Sequence, residues 1–100
     1  MTKIAAVTRI VPKPGAMDDL CACADRMVEA CREEAGTEVY LVARSSREPD
    51  VLFLFELFTD KEALKAHAAG GKAVGEMIGP YIETAEVVIG EPLAATGLAL

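Results

Sequence analysis

The sequence predicts an α+β fold, a ferredoxin-like βαββαβ chain whose four-stranded antiparallel sheet carries both helical segments on one face. Three observations carry the prediction. Four short runs rich in Val, Ile, Phe, Leu and Tyr are bounded by proline, glycine or polar turns. Between them lie two segments whose apolar residues recur at three- and four-residue steps. The 100 residues contain no repeat and no linker, so residues 1–100 are expected to form one domain, with a core over 3–91 and a tail over 92–100.

The elements follow in order. KIAAVTRIV (3–11) reads as a strand ended by Pro12 and Pro14. From Ala16 to Glu34 the spacing of Met17, Leu20, Ala24, Met27 and Cys31 predicts one amphipathic helix, with Asp18, Asp19, Asp25, Glu29 and Glu33 outside. Two acids near its start suit the helix dipole, and Gly36 stands where a C-terminal cap is expected. TEVYLVAR (37–44) and VLFLFELF (51–58) form a hairpin around the polar turn SSREPD. Thr59, with Glu62 three residues on, has the spacing of a capping box and opens the next helix, TDKEALKAH. Gly70-Gly71 interrupts it. KAVGEMIGPY adds a short helix with Val74, Met77, Ile78 and Tyr81 on one side, and TAEVVIG (84–90) is the last strand.

Ten basic and sixteen acidic residues give a net charge of −6. This excludes nucleic-acid binding of the ordinary kind, which draws its affinity from Lys and Arg on phosphates. No apolar run approaches the roughly 18 residues of a membrane span, and the opening MTKIAAVTRIVPKPG reads as a strand, not a signal peptide. A soluble cytoplasmic protein is expected. Cys21, Cys23 and Cys31 fall in one predicted helix. The first two point to nearly opposite sides, and Cys31 lies about 12–15 Å further along, too far for a disulfide. These three do not converge as a metal site. They are expected as small buried hydrophobes, with an exposed thiol at Cys21 or Cys23. No metal and no cofactor are expected.

Strand alternation makes both faces of the sheet apolar. Leu52, Leu54 and Phe58 share one face, while Val51, Phe53, Phe55 and Leu57 share the other. Ile4, Ala6 and Ile10 likewise oppose Ala5, Val7 and Val11. Helices cover one face only, and the other is too large an apolar patch for a monomer. A homodimer is therefore expected, two sheets closing face to face as an α+β barrel through the side carrying Phe53 and Phe55, with the tail packed on the partner.

One acid interrupts this pattern. Glu56 shares its strand face with Leu54 and Phe58, where a carboxylate is costly without a partner. On the following helix His67, the only histidine, lies on one side with Ala63, Leu64 and Ala68 and faces the sheet. The economical arrangement has His67 meeting Glu56. Such a pair either stitches helix to sheet or, beside a pocket, makes His67 a base near neutral pH. Tyr40, Phe58, Met27, Met77 and Tyr81 are the candidates to line that pocket. Arg32 is expected to meet an acid or the helix end, and no glycine-rich loop cradles a phosphate.

REEAG (32–36), Tyr40, REPD (47–50) and FELFTDKEALKAH (55–67) resemble the antibiotic biosynthesis monooxygenase family of small dimeric α+β barrels. The likeness covers residues 3–91. Arg32, Gly36, Tyr40, Glu56 and His67 match positions of the family's pattern. The chain departs from it at Ala35, where Pro is usual, and at Phe58, where Trp is usual. It contains no Trp, Asn or Gln, which sets it apart from the haem-degrading and anthrone-oxidising members and leaves it nearest the quinol monooxygenase-like set. The resemblance implies a cofactor-independent oxygenase acting with O2 on a small aromatic or quinol, with His67 as base and Glu56 orienting it. An isomerase on the same fold, and a non-catalytic ligand-binding or stress-associated dimer, remain open alternatives.

Overall fold

A computed structural model describes residues 2–100. The chain runs β1 (Ile4–Pro12), α1 (Met17–Ala22), α2 (Ala24–Cys31), β2 (Thr37–Arg44), β3 (Leu52–Phe58), α3 (Lys61–Gly70), α4 (Lys72–Ile78) and β4 (Ile82–Gly90), with a 3-10 turn at Gly79–Tyr81. The strands lie in the order β2-β3-β1-β4, and every pairing is antiparallel. This is the ferredoxin-like arrangement. The sheet of the single chain is open, not closed into a barrel.

The two faces of the sheet follow the alternation. Ile4, Ala6, Thr8 and Ile10 of β1 and Leu52, Leu54, Glu56 and Phe58 of β3 are all buried under the helices. Leu20, Met27 and Phe58 are fully enclosed, with 0% exposure, so trimming a side chain such as Leu20 to Ala should cost about 2–5 kcal/mol. On the far side, Leu41, Phe55, Val7 and Val88 stand opposite one another across all four strands. Three of them are open to solvent, Leu41 at 46%, Val7 at 43% and Val88 at 74%. The second face is apolar, but Val51 and Leu57, expected to stand open on it, are buried within the single chain, and Phe53 and Phe55 are half-buried.

Four local expectations need correction. The helix expected over Ala16–Glu34 is two helices. The division falls at Cys23, whose N–H bonds the Leu20 carbonyl in a tighter turn and whose thiol donates to the Asp19 carbonyl at 3.4 Å. Neither thiol of the first pair is exposed: Cys23 is buried and Cys21 half-buried. The cap of α3 is Asp60, whose side chain accepts from the Ala63 N–H at 2.8 Å. Thr59 instead donates its hydroxyl to Glu38. Gly36 is not a helix cap, because α2 ends at Cys31 and Gly36 has no positive φ. A Cβ at Gly36 would collide with the Ala63 side chain. Its hydrogen seats α3 against the start of β2, and its carbonyl accepts from the Thr59 N–H.

The tail after Gly90 forms no helix or strand. Lys3 donates to the Ala99 carbonyl at 2.8 Å, while Leu93 is 97% exposed. No helix among the described residues is long and apolar enough to cross a membrane.

Candidate functional site

His67 stands where α2, α3 and the sheet meet. Capped at Asp60, α3 turns Ala63 and Leu64 onto Ile4, Ala6 and Phe58. The imidazole follows one turn later on the same side. It lies tilted against Phe58 and Tyr40, with ring centroids 5.1 Å and 5.8 Å away. Its Nε2 is 3.1 Å from Glu56 Oε1, as the strand and helix periods require. Its Nδ1 is 2.7 Å from Glu34 Oε1. That carboxylate is steadied by Thr37, whose hydroxyl donates to the same oxygen at 2.8 Å.

Two carboxylates therefore hold one imidazole. The hydrogen bond to Glu56 pushes the His67 pKa up most; burial opposes it, and the bond to Glu34 and both charges add to the rise, which reaches about 9. At neutral pH the ring is an imidazolium. The expected base near neutral pH is thus shifted: Glu56 was anticipated, but the second carboxylate was not. Cys31 Sγ lies 4.0 Å from His67 Nδ1. Burial, then the charges of Glu34 and Glu56, push its thiol up to about 12, so it rests protonated. Burial first, and then the neighbouring acidic groups, also raise the Tyr40 phenol, which stays a hydrogen-bond donor.

These groups line one cavity of about 290 Å3, near the lower end of the roughly 300–1,000 Å3 of small-molecule sites. Thr8, Cys31, Glu34, Tyr40, Glu56 and His67 give it a polar wall. Ala30, Leu54, Val74 and Ile78 give it an apolar one, and Gly70, Gly71 and Gly75 complete the lining. Of the residues singled out in the sequence, His67, Glu56 and Tyr40 meet here. Phe58 touches the imidazole from behind but does not line the cavity, nor do Met27, Met77 or Tyr81. Met27 is enclosed in the core, with Met77 and Tyr81 packed against the same cluster.

Sequence reasoning missed Glu34, Cys31 and Thr8. Cys31 closes α2, but Glu34 lies beyond the helix end, so helical spacing does not place it beside His67. Thr8 is the one polar residue on the inner side of β1. The spacing of the three cysteines offers no metal site, whereas the fold gathers Cys31, Glu34 and His67 with one ligand atom each within 4.8 Å of the others. Arg32 meets Glu29 on the surface, and Arg9 meets Glu48.

The sequence profile of the family described as Antibiotic biosynthesis monooxygenase matches residues 3–73. No curated protein matches the chain. Among solved structures, Rv0793 of Mycobacterium tuberculosis superposes with a TM-score of 0.84 at 25% identity, covering 96% of this chain and 100% of that one. NE2512 of Nitrosomonas europaea, a protein of unknown function, gives 0.85 at 24% identity, covering 99% and 97%. A Caulobacter crescentus protein whose name assigns it provisionally to antibiotic biosynthesis monooxygenases gives 0.84 at 23%, covering 93% and 92%.

Proposed function

We propose that this chain, which belongs to the antibiotic biosynthesis monooxygenase family, oxidises a small hydroquinone or related phenol with O2 and without a cofactor. One observation carries the reading: a cavity large enough for one or two rings, apolar on one side, has an imidazole flanked by two carboxylates on the other.

The two carboxylates differ in exposure. The Glu34 side chain is 28% exposed and that of Glu56 only 9%. A substrate hydroxyl displaces Glu34 from Nδ1, while Nε2–H stays on Glu56 and fixes the ring. Nδ1 in its free-base form then takes the phenolic proton. The bond to Glu56, the largest cause of the raised His67 pKa, survives this displacement and keeps Nδ1 a stronger base than a free imidazole, closer to a phenol whose own pKa is about 10. The resulting anion is electron-rich enough to reduce O2 directly, and the apolar wall shields the radical pair from water. For a hydroquinone the balance is quinol plus O2 giving hydroxyquinone plus water. One oxygen atom enters the ring, the other leaves as water, and the substrate supplies all four electrons. The Tyr40 hydroxyl is the donor suited to a substrate oxygen.

Two copies pair through the face carrying Phe53 and Phe55 in this reading, with the tail lying on the partner. The exposed row of Leu41, Val7 and Val88 supports the pairing. Three unpaired cysteines suit a reducing cytosol.

Engagement of both His67 nitrogens favours a second reading, in which Glu34–His67–Glu56 only clamps α2, α3 and the sheet together. Oxygen uptake with a panel of hydroquinones, for wild type and His67→Ala, separates the two. The oxygenase reading expects uptake that disappears in the variant. No uptake with any quinol, together with a lower melting temperature in the variant, supports the clamp. Proton exchange into a carbonyl substrate without O2 consumption indicates an isomerase.

A further inference from the structure

We propose that Cys31, Glu34 and His67 form a binding site for a transition-metal ion of the zinc class, with one coordination position left facing the cavity. The three side chains offer a sulfur, a carboxylate oxygen and an imidazole nitrogen within 4.8 Å of one another. His67 Nδ1 is 2.7 Å from Glu34 Oε1 and 4.0 Å from Cys31 Sγ. With zinc bonds of about 2.0–2.3 Å, ligand atoms at tetrahedral angles stand about 3.3–3.6 Å apart. Shifts of about 1 Å reach that geometry from here, opening the nitrogen–oxygen contact and drawing in the sulfur.

The surroundings are those a metal site needs. Cys31 closes α2, Glu34 stands in the turn three residues later, and His67 comes from α3, so two helices and the turn between α2 and β2 hold the ligands. Thr37 orients Glu34 through its hydroxyl. The far nitrogen of His67 meets Glu56, whose side chain is 9% exposed; this is the carboxylate–histidine–metal relay that fixes tautomer and ring plane. All three ligands line the same cavity, so a fourth position is open to water or a small anion. Sulfur, nitrogen and oxygen together suit Zn2+ and Co2+ and disfavour Mg2+ and Ca2+, which take oxygen ligands. On binding, the thiol proton and the Nδ1 proton pass to solvent.

Occupancy has a consequence for the proposed chemistry, and this part alone rests on that reading. With metal on Nδ1 and Glu56 on Nε2–H, His67 has no lone pair for a phenolic proton. Metal loading and proton abstraction exclude each other, and zinc would switch the oxygenase off.

Cobalt titration of the chelator-dialysed protein tests the site without reference to activity. The expected result is a thiolate-to-cobalt charge-transfer band with the visible bands of tetrahedral cobalt, saturating at one equivalent per chain and displaced by zinc. Cys31→Ser abolishes the charge-transfer band, Glu34→Gln weakens cobalt binding at least about tenfold, and Cys21→Ser changes neither. Absence of a saturable band, or a band that survives Cys31→Ser or vanishes in Cys21→Ser, overturns the proposal. Glu34→Gln leaves both Cys31 and the core untouched, so its affinity is readable even if Cys31→Ser folds poorly. Oxygen uptake that persists in zinc-saturated protein overturns the switch and leaves the site standing.

Discussion

Replacing Glu56 by glutamine keeps the size of the side chain and removes its charge, which isolates the electrostatics of the His67 clamp. The folded-state pKa of His67 lies at about 9 against 6.5 for a free histidine. That difference, at about 1.4 kcal/mol per pKa unit, is of the order of 3 kcal/mol between protonation states, and solvent screening reduces the share expressed as stability to about 1–2 kcal/mol. The sign follows from the raised value. The stabilisation is fully present below about pH 6.5 and is lost as pH rises through about 9. Because the bond to Glu56 is the largest cause of the rise, Glu56→Gln should lower the pKa by more than about one unit and flatten the stability loss between pH 6.5 and 9. His67 is the only histidine, so its ring-proton NMR signal titrates without overlap, and urea unfolding at several pH values gives the stability. A wild-type pKa near 6.5, or one unchanged by the substitution, refutes the reasoning.

The same clamp predicts the pH dependence of turnover. Between pH 6 and 9 the rate at low substrate should rise about tenfold per pH unit as the free base of His67 accumulates, then level near pH 9; a plateau already at pH 7 assigns the base elsewhere. Gly36→Ala should destabilise the fold by about 1–3 kcal/mol, read by thermal or urea unfolding, because the added methyl meets Ala63 and pushes α3 off β2. Unchanged stability means the two elements part freely. Phe55→Lys, in the middle of the apolar row across the sheet, should convert a sedimenting dimer into monomer. Wild type that sediments as a single chain removes the proposed pairing.

The sequence made the fold and one edge of the site legible because both depend on period. Alternation in β3 puts Glu56 with Leu54 and Phe58, and helical spacing in α3 puts His67 on the sheet side; one geometry satisfies both. Competing local interactions decided what periodicity could not. The run from Ala16 to Glu34 reads as one helix, yet it divides at Cys23, where the N–H turns to the Leu20 carbonyl and the thiol bonds the Asp19 carbonyl. The chain then leaves the helix after Cys31, and the turn swings Glu34 towards α3. A helix continued through Glu34 conceals this, so the second carboxylate went unseen. Gly36 was legible as special but for the wrong reason, since a close approach of another element looks like a cap in one dimension. Met27 and Met77 show the remaining limit. Periodicity identifies the side that faces the sheet, but not where helices part to leave space. These two side chains belong to the filled region, while Val74, Ile78 and three glycines border the open one.

Oxygen-isotope labelling tests the central claim most directly. Turnover of a hydroquinone under 18O2 should place one labelled atom in the quinone product and the other in water, with none of the new product oxygen drawn from solvent. Product without label, or label recovered as hydrogen peroxide, would contradict a monooxygenase at this site.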